Sequence, residues 1–360
     1  MKTRIGLIML VAAVLLAACA TPTPQMVEVT RIVAGTPVVE QKVVTATPAP
    51  PAPTAAAAQY KIAIVMPSSI KDAAFSQSMY EALLVVQKEM GGEAKLKIAY
   101  SENMFQVPNA AAALRDYASQ GYNLVIAHGS QYGTSLAQVA PDFPKVSFAW
   151  GTSLDTFQSK GISNVFAYQA EAQEGGYVQG VIAALMTKSN IVGVTGPVEA
   201  GDAKLYVDGF KKGVADTKKD VKVNVTYTGS FSDVTLMSAA AETHIKAGAD
   251  ILTGSSQSVV GSISVAKDKK GFWFGAQWDQ SALAPEAVVA SMVYDWTGVA
   301  KDMMTANKAG VLGGKAYTLT FKNGGLKIVY NSKITVPADA KAKADAAIKD
   351  IGDGKVKPLP

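Results

Sequence analysis

Residues Tyr60–Tyr100 read YKIAIVMPSSIKDAAFSQSMYEALLVVQKEMGGEAKLKIAY. The stretch opens on an apolar run, Tyr60–Met66, and passes through a short polar loop. From Phe75 to Met90 apolar residues return at helical spacing. Gly91-Gly92 comes next, where a left-handed cap suits glycine, and a second apolar run begins at Leu96. Strand, helix and strand in this order predict a parallel pair with the helix across one face.

The rhythm continues. Apolar runs recur at Leu124–Ala127, Val146–Trp150, Val165–Tyr168, Ile191–Thr195, Val221–Tyr227, Ile251–Thr253 and Phe272–Gly275. Helical spacing lies between most of them, at Ala110–Gln120, Glu171–Lys188, Lys204–Asp216 and Thr235–Ala247, and Gly121 and Gly248 fall just past helices. The chain therefore reads as α/β, with doubly wound parallel sheets. Roughly 300 residues beyond Tyr60 exceed one ordinary core and suit two lobes. We expect lobe 1 over 60–165, with returning segments from about residue 287, and lobe 2 over 166–286. Residues 287–360 read as hinge-crossing segments and a C-terminal helix, the helix and its tail lying within the alanine- and lysine-rich stretch Lys333–Pro360.

The N-terminal region differs. Lys2 and Arg4 precede an apolar run from Ile5 to Leu16, and Ala17-Ala18 lead to Cys19. A basic head, a short apolar core and a small-residue exit describe a secretory signal peptide over 1–18. Leu16-Ala17-Ala18-Cys19 resembles the bacterial lipobox, which implies a lipid on Cys19 and a place on the extracytoplasmic face of the cell membrane. Cys19 is the only cysteine, so an intrachain disulfide or a cysteine metal cluster is impossible. Residues 20–59 hold seven of the sixteen prolines and seven threonines. We read 19–59 as a lipid anchor and disordered tether, not as paired strands, with a reach of roughly 35 Å. Loss of Lys2 and Arg4 would take the formal charge from +5 to +3, a mild excess without the clustered basic footprint that nucleic acid requires.

In parallel sheets, ligands bind beyond the carboxyl ends of the strands. The residues just past the runs are Ser68, Ser69, Asp72 and Phe75; His128, Gly129, Ser130 and Tyr132; Trp150 and Gly151; Gly196; Gly254, Ser255 and Ser256; and Gln277, Trp278 and Asp279. Any one glycine or serine here reads as an ordinary loop residue. As a recurring set, glycines, short hydroxyls and aromatics suit a cleft that stacks and hydrogen-bonds a flat polar ligand. Catalysis finds little support. There are two histidines, and neither has a sequence-local acidic or nucleophilic partner. No nucleophile elbow, phosphate loop or His-Glu-x-x-His is present. Asp72 and Asp279 could pair for hydrolysis, but a carboxylate at a strand end more often caps the next helix or holds a ligand hydroxyl. We expect no enzyme activity, no cofactor and no metal.

The stretch Asp72–Glu81 (DAAFSQSMYE) resembles the opening motif of the basic membrane protein family, substrate-binding lipoproteins of ABC transporters that include purine nucleoside receptors. Ser76 stands where that motif usually has asparagine. Glu171–Gly180 (EAQEGGYVQG), Tyr206–Phe210 (YVDGF), Gly229–Asp233 (GSFSD), Gly248–Asp250 and Gly275–Ser281 (GAQWDQS) are similar to further family motifs, in consistent order from about residue 60 to about 305. The resemblance implies a type I periplasmic-binding fold and a ligand held between two lobes. It implies that Phe75 and Tyr206 stack on a base from opposite lobes, and that Asp72 binds the base edge or organises its loop. Without the motif, Phe75 reads as a core residue at the start of an amphipathic helix. Gln277 stands where the nucleoside receptors have aspartate, Tyr294 lies near their lysine, and Thr134 corresponds roughly to another aspartate. Three charged ribose contacts thus become neutral, which points to a free nucleobase or another flat heterocycle. The expected ligand set is Asp72, Phe75, Ser76, His128, Tyr132, Trp150, Tyr206, Gly254, Gln277, Trp278, Asp279 and Tyr294. The expected partners of a monomeric chain are a small-molecule ligand, an ABC permease with its ATPase, and the membrane through the lipid. A ligand-sensing receptor with the same cleft, or a binder of another small molecule such as a sugar, is the alternative.

Overall fold

The computed structural model describes residues 25–33, 36–44 and 59–359. The expected signal peptide over 1–18 and Cys19 lie outside them. The chain divides into two units, Met1–Ala58 and Gln59–Pro360. In the first, β1 (Gln25–Val33) and β2 (Thr36–Val44) pair antiparallel in continuous register, from Gln25 with Val44 to Val33 with Thr36. This corrects the expectation of an unpaired tether there. Valine and threonine occur in both segments and isoleucine in β1, and branched residues of this kind favour extended backbone.

The second unit holds two six-stranded sheets. One has the order β13-β7-β6-β5-β3-β4, from β3 (Tyr60–Val65), β4 (Leu96–Ser101), β5 (Leu124–Ala127), β6 (Ser147–Gly151), β7 (Val165–Ala170) and β13 (Ala316–Leu319), all parallel. The other has the order β14-β12-β11-β10-β8-β9, from β8 (Ile191–Gly196), β9 (Lys222–Tyr227), β10 (Ile251–Gly254), β11 (Phe272–Gln277), β12 (Val288–Tyr294) and β14 (Leu326–Tyr330), of which β14 alone is antiparallel. Each expected apolar run from Tyr60 to Gly275 is a strand. Both sheets are covered on both faces, and the pleat sorts the side chains. Ile62 and Ile64 enter one core cluster, whereas Ala63 and Val65 enter another with Leu114 and Leu136.

Nine α-helices complete the described residues: α1 (Phe75–Glu89), α2 (Val107–Ser119), α3 (Gly133–Val139), α4 (Ala172–Met186), α5 (Gly201–Thr217), α6 (Val234–Lys246), α7 (Val260–Asp268), α8 (Thr297–Lys308) and α9 (Ala338–Gly352). The chain crosses between sheets three times: from β7 into α4, from β12 into α8, and from β13 into β14. The expected boundaries at 165 and 287 therefore move. All of β7 belongs to the first sheet and all of β12 to the second. Apolar strands look alike in sequence whichever sheet they join. The crossings are tied together where Glu171 N–H donates to Leu319 O (2.9 Å), Asp295 N–H to Gly325 O (2.8 Å) and Phe321 N–H to a Glu174 carboxylate oxygen (2.7 Å).

Two local devices fix the helix starts at the carboxyl ends of the sheets. The first is the crossing of α4 and α5, where four glycines bring the backbones into contact. A Cβ on Gly176 or Gly180 would lie 2.3 Å from Tyr206 O or Phe210 O, and one on Gly209 or Gly213 would lie 2.3 Å from Gln173 O or 2.0 Å from Tyr177 O. No side chain fits there. The second is His128, fully buried just past β5. Its Nε2 lies 2.9 Å from Phe75 O, an acceptor only, so Nε2 carries the proton; Nδ1 then accepts from Tyr168 Oη at 2.7 Å. Its ring stacks on Phe75 at 3.8 Å between centroids and 6° between planes. Burial pushes its pKa down from 6.5 to about 3.

Both devices are testable by substitution and titration. Gly213→Ala should lower unfolding stability by about 3 kcal/mol in denaturant titration, since the backbones must part. Gly298→Ala, on the exposed start of α8 with nothing within 4 Å of its Cβ, should be neutral or slightly stabilising. His128 stays neutral in the fold but protonates in the unfolded chain below about pH 6.5. Its contribution is therefore complete above that pH and declines as pH falls toward about 3, by about 1.4 kcal/mol per pH unit. His244, also lowered by burial, acts in the same direction. An NMR titration should find the His128 ring unprotonated at pH 5 while the fold persists.

Candidate functional site

The carboxyl ends of both sheets face one cleft. From the first lobe come Pro67 after β3, Phe75 at the start of α1, Phe105 after β4, Gly129 to Gln131 after β5, and Thr152 after β6. From the second come Pro197 after β8, Asp202 and Ala203 at the start of α5, Phe231 after β9, Ser255 to Gln257 after β10, and Gln277 at the end of β11. The free space between them comes to about 400 Å³ when the adjoining open solvent is counted. Both sheets repeat one strand order, and each reverses direction at its second strand, β3 or β8. Diverging loops at such reversals leave room for a ligand.

Of the twelve expected residues, Phe75 and Gln277 line this cleft. Asp72 organises its loop: the carboxylate accepts the backbone N–H groups of Ala74 (2.9 Å), Ser76 (3.1 Å) and Gln77 (3.1 Å), and the Ser68 hydroxyl. It thereby satisfies donors at the start of α1, and burial holds its carboxyl above the usual range. Ser76 is fully buried, its hydroxyl 2.8 Å from that of Ser68. His128 sits behind Phe75 and supports the ring. Tyr132 is buried, donating to Met104 O at 2.8 Å. Trp150 stacks on Phe157 at 5.0 Å and donates to Gly129 O, which steadies the loop that does reach the cleft.

Tyr206 is not on the cleft wall. It is fully buried, with its hydroxyl between Gln179 and Thr253 (2.6 Å to the latter). The motif that carries it serves the α4–α5 crossing. The aromatic that reaches the cleft from the second lobe is Phe231, which lies within the Gly229–Asp233 motif but reads in sequence as a loop residue. The hydroxyls of Ser256 (2.8 Å) and Ser258 (3.2 Å) donate to its carbonyl and hold the backbone. Gly254 lies just short of the cleft, at a close approach of β10 to Thr195 O. Trp278 falls in a separate groove with Val85, Tyr294 and Lys327. Asp279 is exposed and bonds to Ser281, so it makes no pair with Asp72.

The charged residue that sequence reading missed is Asp202. Gln277 Nε2 (3.2 Å) and Tyr294 Oη (3.3 Å) both donate to its Oδ2. Burial raises its pKa, and these hydrogen bonds oppose the rise; burial also pushes the Tyr294 hydroxyl well up, so it remains a neutral donor. Across the cleft, Gln280 Nε2 donates to Ala73 O at 3.0 Å, linking the second lobe to the loop before Phe75. Among the described residues, no group of three His, Cys, Asp or Glu side chains could hold a metal, and no helix is long and apolar enough to cross a membrane.

The family of ABC transporter substrate-binding proteins described as PnrA-like matches residues 59–356. The chain is 28% identical over 265 residues to a purine-binding protein of Brucella abortus, covering 74% of this chain and 73% of that one. It is 29% identical over 319 residues to an ABC transporter nucleoside-binding protein of Lactococcus lactis, covering 82% and 88%. In fold it is similar to a solute-binding protein of Aeropyrum pernix, with a TM-score of 0.71 at 18% identity over 83% of this chain and 92% of that one. The two sheets, the three crossings and the cleft between them are those of the type I periplasmic-binding fold. The chain belongs to the PnrA-like family and is an extracytoplasmic, non-enzymatic substrate-binding protein of an ABC transporter.

Proposed function

We propose that the protein captures a flat heterocycle, a nucleobase or nucleoside, between its lobes and delivers it to an ABC permease while anchored to the membrane through a lipid on Cys19. One observation carries the ligand class. Phe75 and Phe231 enter a single cleft from opposite lobes, with Phe105 beside them and short hydroxyls and amides around them. Two aromatic faces suit a flat ring, each adding about 1 kcal/mol beyond burial of area. The purine- and nucleoside-binding relatives support the same reading. The anchor rests on the signal-like N-terminus and on the placing of the sole cysteine at its exit.

Capture works by differential contact. A ring touching both lobes favours the closed state over the open one by the contacts that only closure supplies. The bond from Gln280 to Ala73 O adds a direct contact between the second lobe and the loop before Phe75. Transport energy comes from the partner ATPase.

A thermal-shift screen of the full chain against bases, nucleosides, amino acids and sugars tests this. A purine base or nucleoside at a hundred times its Kd should stabilise the fold by about 2.7 kcal/mol. Phe231→Ala should weaken binding at least tenfold with little loss of stability, because the side chain is half-buried at the cleft edge. Tyr206→Phe should cost stability and leave affinity unchanged. A response to sugars or amino acids alone would refute the heterocycle.

A further inference from the structure

Asp202 is the one ionisable side chain among the residues lining the cleft, and no lysine or arginine lies among them. Its carboxylate is absent from the ion pairs of the described residues. The two side chains that meet it, Gln277 and Tyr294, are neutral. Their bonds of 3.2 and 3.3 Å are long for a charged acceptor, and a carboxylate offers about four acceptor sites. The backbone N–H groups of Asp202 and Ala203 also face it, so the carboxylate is held in place, and the two long side-chain bonds are the ones that a closer ligand donor can replace.

Gln277 supplies the second, independent observation. It is 3% exposed and adopts φ +74°, a conformation that L side chains rarely take. Its Oε1 is buried without a hydrogen-bond partner. The amide cannot usefully turn over, since that would set Oε1 against the Asp202 carboxylate. The same cleft wall thus presents a carboxylate and an unpartnered amide oxygen, both acceptors. A buried acceptor is costly until a donor reaches it.

We infer that Asp202 is the specificity-determining residue of the cleft, and that with Gln277 Oε1 it accepts a pair of donor groups from the polar end of the ligand. Two parts of a heterocyclic ligand carry that chemistry: the vicinal hydroxyls of a ribose, or the two N–H groups of an exocyclic amine on the base edge. An anionic end, such as a phosphate, meets repulsion there and no compensating cation. The inference rests on the proposed heterocycle reading. It also removes the case for a free base from neutral Gln277 and Tyr294, because both residues surround a charge contributed by another element. Burial holds the Asp202 carboxyl above the usual range, so binding should weaken as pH falls through that raised value.

Calorimetric titration of the full chain with adenosine, 2′,3′-dideoxyadenosine, adenine and adenosine 5′-monophosphate tests it, using the wild type and Asp202→Asn. The substitution keeps the shape and removes the charge. It should weaken binding of the donor-bearing probes at least tenfold, flatten their pH dependence and leave the melting temperature nearly unchanged. If the ribose is the source, adenosine alone loses affinity, and dideoxyadenosine binds both proteins equally and weakly. If the base edge is the source, adenosine, dideoxyadenosine and adenine lose affinity together. In either case the monophosphate should bind the wild type at least tenfold more weakly than adenosine. Asp202→Asn binding every probe within twofold of wild type, while Phe231→Ala abolishes binding, would overturn this inference and leave the heterocycle reading intact. Binding of none of the probes to the wild type would overturn both.

Discussion

The rings of Phe75 and His128 lie 3.8 Å apart and 6° from parallel, and the first wall of the cleft depends on that contact. A histidine can be buried just past a central strand only if it stays neutral and both nitrogens find partners. Tyr168 and the Phe75 carbonyl meet that demand. The bond to the carbonyl also fixes the first residue of α1, so one side chain sets both the backbone and the ring of Phe75. Behind them, Tyr168, Tyr294 and Trp296 pack edge to face, and Trp296 Nε1 donates to Ser78 Oγ within α1. Tyr294 belongs to the second sheet, so the support for Phe75 is continuous with the hinge.

The second wall is placed by the glycine crossing. With α4 and α5 at backbone contact, the first turn of α5 reaches the cleft, and Asp202 arrives beside Gln277. The same crossing draws Tyr206 inward, where Gln179 joins it and also donates to Gly275 O at 2.8 Å. A motif that resembles one of a ligand-binding family need not touch ligand. Here it sets the distance between two helices, and residues at their ends line the cleft.

Much of the fold is legible in the sequence because fully buried strands announce themselves as short apolar runs and amphipathic helices by their period. The rest is non-local. Val288–Tyr294 is as apolar as any other strand, yet it follows no helix and reads as part of the hinge. Phe75 is legible through its motif and Gln277 through its strand end. Asp202 is not, because its partners lie 75 and 92 residues away and its neighbours Gly201 and Ala203 carry no chemical signal. Phe231 and Tyr206 are both aromatics in matched motifs; burial alone separates them, and burial depends on packing across the whole lobe.

A crystal structure of the chain with adenosine bound tests the central claim most directly. The account predicts the base against the open face of Phe75, with His128 behind that ring and Phe231 closing from the other lobe. It also places a pair of ligand donors within hydrogen-bond distance of Asp202 and Gln277 Oε1. A base seated instead in the groove beside Trp278, or one in the cleft with no ligand donor within hydrogen-bond distance of Asp202, would contradict it.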